Sequence, residues 1–142
     1  PAMTPQEMPI PALAYLGDAV LEMWVRERLV RTYHCGAGRL NRESLAFVSA
    51  PAQASALARI LPFLSQEETD WVRRGRNMAH RNLPPHATKE QYRDATALEV
   101  LFGFLHLSGE AARIGELFLL AYPDGAENPA EKAENGGDAR ED

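Results

Sequence analysis

The sequence predicts an all-α domain of about six helices over residues 1–122, followed by a disordered acidic tail at 123–142. Three observations predict it. Apolar residues recur at helical spacing in one segment after another, and none alternates with the two-residue period of a strand. Two capping boxes, Ser65-Gln66-Glu67-Glu68 and Thr88-Lys89-Glu90-Gln91, mark helix starts. Glycine and proline fall between the apolar segments and punctuate them.

Residues 1–11 are proline-rich and read as an irregular arm. A first helix is expected over about 12–33, with Leu13, Leu16, Val20, Met23 and Trp24 on one apolar face and Leu21, Val25 and Leu29 extending it. A helix apolar around most of its circumference belongs in the middle of a domain. Gly36 and Gly38 break it, and a second helix over about 39–48 points Leu40, Leu45 and Val48 inward. Ser49 as N-cap and Pro51 in the first turn start a third helix, running to about 61. The capping boxes start a fourth, over about 66–77, and a fifth, over 89–107, separated by a loop at 78–87 that contains Pro84-Pro85. Ser108-Gly109 ends the fifth, and a last helix covers about 110–121. The tail from Pro123 is too polar to fold on its own.

Composition bounds the function. No apolar run approaches the roughly 20 residues that cross a bilayer, so no membrane partner is expected. Cys35 is the lone cysteine, which excludes an internal disulfide and a cysteine zinc site and suits a reducing cytoplasm. The net charge of −5 belongs to the tail, whose seven acids oppose two bases; residues 1–122 are neutral. Between Trp71 and Arg93, however, six basic residues face only Glu90, a local +5 that calls for an anionic partner.

Two carboxylates defy the pattern of their own helices. Asp18 sits between Gly17 and Ala19 on the first central helix, and Glu99 lies among Ala95, Thr96, Phe102 and Gly103 on the fifth. Buried without a partner, each would cost several kcal/mol. An arginine, a proton or a metal must meet them. Packed together, the two helices could bring both to one hard cation such as Mg²⁺, which takes one or two carboxylates plus waters and phosphate oxygens. Glu22 and Arg26 share the stripe of Asp18 and read as an intrahelical pair, while Asp94 is expected at the surface. Arg73, Arg74, Arg76, Asn77, His80 and Arg81 crowd the end of the fourth helix and the loop after it. Some of that charge suits the helix dipole; the excess suits phosphate. His34 beside Cys35 does not make a nucleophile pair, and no phosphate loop or hydrolase motif is present.

Those residues carry a resemblance. Leu16-Gly17-Asp18-Ala19-Val20-Leu21 and Thr96-Ala97-Leu98-Glu99-Val100-Leu101-Phe102-Gly103 resemble the two acidic motifs of ribonuclease III catalytic domains. Val48-Ser49-Ala50 with Gln53-Ala54, Arg73-Arg74-Gly75-Arg76-Asn77 and Tyr92-Arg93 resemble the stand-alone Mini-III branch, in order over about residues 12–107. The resemblance implies an all-α homodimeric endonuclease that cleaves double-stranded RNA with Mg²⁺, or with Mn²⁺ as a substitute, and leaves 5′-phosphate and 3′-hydroxyl ends. Asp18 and Glu99 would be its catalytic and metal residues, and the precursor of 23S ribosomal RNA its substrate. Longer members carry further acids where this chain has Ala14 and Thr96, and as in Mini-III, waters would fill those positions. That branch lacks a separate double-stranded-RNA-binding domain, and residues 123–142 are expected not to form one. Two other classes stay open: a non-catalytic, ribosome-associated RNA-binding member of the fold, and an all-α Mg²⁺ nucleotide hydrolase.

Overall fold

The computed structural model describes residues 3–78 and 86–124; most of the acidic tail lies outside them. The described chain forms six α-helices: α1 (Ile10–Thr32), α2 (Ala37–Val48), α3 (Ala50–Ile60), α4 (Gln66–Arg76), α5 (Lys89–Leu107) and α6 (Ala111–Ala121). Short 3-10 turns at Pro5–Glu7 and Leu61–Phe63 flank α1 and α3. No strand occurs among the described residues.

The capping chemistry sets the boundaries. Ser49, Ser65 and Thr88 each accept a hydrogen bond from the first-turn backbone, and Glu68 and Gln91 reach back to complete the two boxes. Gly109 takes the left-handed φ of 74° that closes α5, and the Glu110 N–H then bonds back to the Leu105 carbonyl at 2.9 Å. The arm is more ordered than its prolines suggest. α1 begins at Ile10, with Pro11 in a first turn where a missing N–H costs nothing.

α5 is the axis of the domain. From Ala95 to Leu105 only Thr96 and Glu99 are not buried. α1, α4 and α3 pack around it, and α6 folds back over α3 and the end of α5. Three of these contacts are backbone against backbone. A Cβ on Gly17 would overlap the Glu99 carbonyl, and one on Gly103 would overlap the Leu13 carbonyl. On Gly75 it would sit 2.7 Å from the Ala97 Cα. Glycine at these positions lets α1 and α4 press directly onto α5. Stacked Trp71 and Phe104, centroids 4.5 Å apart, fill the rest of the α4–α5 seam.

Two expected faces are corrected. The buried side of α1 is Leu13, Ala14, Gly17, Val20, Leu21, Val25 and Leu29, while Met23 is 57% exposed. The glycine contact fixes that rotation, and side-chain hydropathy does not report it. On the peripheral α2 nothing is fully buried; Leu40, Phe47 and Val48 lean inward, and Leu45 is 62% exposed. An ion pair between two helices closes the α4–α6 corner. Arg113 grips the buried Glu68 with Nε at 2.9 Å and Nη2 at 2.8 Å, and its guanidinium holds that carboxyl below its ordinary pKa.

Replacing Gly17 by alanine is expected to destabilise the domain by about 3 kcal/mol, since backbone must move to admit the methyl. Gly38, in the first turn of α2, has open space around it. Gly38→Ala is expected to stabilise by roughly 0.5–1 kcal/mol through lost unfolded-state entropy. Urea melts of the two variants against wild type check both signs.

Candidate active site

The contact that seats Gly17 on the Glu99 backbone puts the next residue, Asp18, beside the Glu99 side chain. Asp18 is exposed and Glu99 half-buried. Neither carboxylate has a hydrogen bond or ion pair among the described residues. No described arginine meets them. What meets Glu99 in the bare protein is a proton: burial, then the charge of Asp18, pushes its pKa from 4.5 up to about 8. Repulsion between the two is mutual, but the more buried member takes the proton. Asp18 is then raised by its own partial burial and next by Glu22, one turn along α1. Glu22 itself is bound to Arg26 at 3.1 Å, the intrahelical pair expected from their spacing.

An unpaired carboxylate pair at a solvent-reachable helix junction fits a hard divalent cation. No group of three or more His, Cys, Asp or Glu among the described residues could hold a metal. Two carboxylates would therefore leave most coordination positions to water and substrate oxygens, the arrangement Mg²⁺ favours. Ala14, one turn before Asp18, faces the core, and Thr96, one turn before Glu99, is half-exposed.

The basic segment begins where α4 meets α5. Its arginines are partly occupied by structure. Arg74 lies over the Trp71 ring at 4.7 Å, and Arg73 is exposed with only a 4.0 Å approach to Asp70. Arg76 Nε is 3.2 Å from Asp94 Oδ1, an oxygen that is buried yet lacks hydrogen-bond geometry. Asp94 is thus half-buried in an ion pair rather than a plain surface acid. Nothing local in the sequence joins it to Arg76, because the pairing is made across two helices. Asn77 is exposed just after α4, and His80 and Arg81 lie outside the described residues. His34 is exposed and Cys35 half-buried, with no hydrogen bond joining them.

Comparison with known proteins gives this geometry a context. The family model of the ribonuclease III domain matches residues 11–110. A Mini-ribonuclease 3 of Symbiobacterium thermophilum is 41% identical over 117 residues, covering 82% of this chain and 90% of that protein. A Mini-ribonuclease 3 of Synechocystis is 42% identical over 81% of this chain and 79% of its own length. In three dimensions the chain resembles a crystallised protein from Fusobacterium nucleatum with a TM-score of 0.71 and 27% identity, over 78% of this chain and 89% of that one.

The raised pKa of Glu99 is a stability statement. Its folded-state affinity for the proton exceeds the unfolded one, so the stability it confers is full below pH 4.5 and is lost as pH rises through about 8. Glu99→Gln is therefore expected to raise the melting temperature of metal-free protein at pH 8.5 by several degrees, on the order of 2 kcal/mol, and to change it little at pH 4.5. Mg²⁺ is expected to stabilise wild type at pH 8.5 and not this variant. Scanning calorimetry at the two pH values, with and without Mg²⁺, checks both.

Proposed function

We propose that this chain, which belongs to the ribonuclease III family and to its Mini-III branch, cleaves double-stranded RNA with the help of Mg²⁺. Membership makes it an endoribonuclease; the metal, the duplex substrate and the end chemistry are our reading. The observation that carries the reading is the unpaired Asp18–Glu99 couple, set by a glycine contact at the same stretch of α5 that receives the basic end of α4. A module that only bound RNA would gain nothing from two destabilising carboxylates, and a basic rim would be wasted on water.

Asp18 and Glu99 would hold the cation, and loss of the proton from Glu99 readies the pair for it. Bound Mg²⁺, or Mn²⁺ in its place, supplies Lewis acidity to phosphate oxygens and acidity to bound water. Arg73, with Arg81 and His80, would contact backbone phosphates, and duplex RNA would be read through its shape and 2′-hydroxyls rather than its bases. Hydrolysis would leave 5′-phosphate and 3′-hydroxyl ends. We assign the substrate to the 23S ribosomal RNA precursor in the cytoplasm, as the Mini-III resemblance implies.

Cutting both strands calls for two sites, hence a homodimer. The outward face of α1 supports it: Tyr15 is 85%, Met23 57% and Val30 60% exposed, an apolar strip unusual for a free surface. Met23 and Val30 line a shallow groove of about 780 Å³ with Ala19, Glu22 and Arg26.

Cleavage of a labelled RNA duplex tests the chemistry. Wild type is expected to cut both strands only with Mg²⁺, and Asp18→Asn or Glu99→Gln to slow cutting by at least about 1,000-fold while duplex binding persists. Binding without any cutting by wild type would make the protein a non-catalytic member, and release of phosphate from nucleotides without duplex cutting would make it a nucleotide hydrolase. Met23→Glu is expected to shift wild-type dimer to monomer in sedimentation. A variant that sediments with wild type would place the interface elsewhere.

A further inference from the structure

Arginine is seldom left half-buried without a partner, because its charge loses water and gains nothing. Among the described residues nearly every arginine meets a carboxylate, a backbone carbonyl or an aromatic ring. Two do not: Arg42 and Arg93. Arg42 is exposed on α2, where water suffices. Arg93 is half-buried on α5 and has neither hydrogen bond, ion pair nor ring contact among the described residues. Glu90, one turn earlier, is exposed and does not pair with it; Asp94 is held by Arg76.

Its position gives the vacancy a meaning. Along the central part of α5 the surface narrows to Thr96 and Glu99, and toward the N-terminus it widens to Tyr92, Arg93 and Lys89. Arg93 and Glu99 are each three residues from Thr96, so each is a surface neighbour of it. Six residues of helix separate the two positions by about 9 Å along the axis and about 120° around it. Thr96 lies midway, so the two side chains flank it rather than share one line. We infer that Arg93 binds a backbone phosphate of the RNA strand flanking the one cleaved beside Asp18 and Glu99. The guanidinium fork matches phosphate oxygens, and a partner that arrives only with substrate explains why none is found among the described residues. Pre-set on a helix, Arg93 would orient the strand as well as attract it. Lys89, exposed one turn further out, would add charge without that geometry.

The inference rests on the duplex-nuclease reading, and the test separates the two. Binding of a labelled RNA duplex is measured without metal between 50 and 200 mM salt, followed by steady-state cleavage with Mg²⁺, for wild type, Arg93→Gln and Arg42→Gln. We expect Arg93→Gln to weaken binding by about tenfold, to lower the salt slope by about one phosphate contact, and to raise KM more than it lowers kcat. Arg42→Gln is expected to stay within about twofold of wild type in all three. Equal affinity and slope for Arg93→Gln and wild type would overturn the inference while leaving the nuclease reading intact. A wild type that neither binds nor cuts duplex RNA would overturn the nuclease reading itself, and this inference with it. Arg93→Met, which keeps the aliphatic stem, is read by the same three numbers if the glutamine variant folds poorly. Arg93→Lys is expected to keep the salt slope and lose part of the affinity, since it keeps charge and loses the fork.

Discussion

Everything in this domain depends on how closely α1 can approach α5. Two glycines decide it from opposite sides: Gly17 on α1 lies against the Glu99 carbonyl, and Gly103 on α5 lies against the Leu13 carbonyl. Because neither helix has a side chain at its crossing point, the backbones touch, and the rotation of each about its axis is fixed. That rotation buries Val20, Leu21 and Val25, leaves Met23 outside, and places Asp18 beside Glu99. The juxtaposition of the two carboxylates is thus a consequence of packing. A larger residue at 17 would separate the helices, and with them the carboxylates.

The same contact imposes an electrostatic cost. The most buried carboxylate among the described residues, Glu68, is by contrast fully satisfied: it has the N–H of its cap residue Ser65 and two nitrogens of Arg113. Around Glu99 the fold does the reverse, since the nearest ionisable group raising its pKa is another acid. Stability sacrificed in one place and not another marks where the protein must meet something that is not protein. Ordinary hydrophobic burial over the rest of α5 sustains the expense.

Basic residues divide along similar lines. Arg76 secures the end of α4 to Asp94, and Arg74 covers Trp71, so part of the arginine cluster is framework. Gly75, between them, seats that framework on Ala97. Next to this framework, Arg73 and Arg93 have weak or absent partners among the described residues, and theirs is the charge we propose for phosphate. Helix α4 therefore both aims the basic rim and is fastened by it.

The sequence by itself determined the all-α class, the order of the six helices and nearly all of their ends, because caps and punctuation are local chemistry that acts within one turn. Ser49, Ser65, Thr88 and Gly109 act where their residue types alone indicate. It also singled out Asp18 and Glu99, since a carboxylate against the grain of an apolar helix is visible without a fold. It turned Met23 and Leu45 the wrong way, inward, set Asp94 at the surface rather than on Arg76, and did not foresee that Glu68 belongs to Arg113. Only the tertiary structure decided these. Each depends on what a neighbouring helix presents at the same height, and in α1 hydropathy is spread around the whole circumference, so periodicity cannot choose a face. The choice was made by two missing side chains, whose effect exists only once two backbones have met.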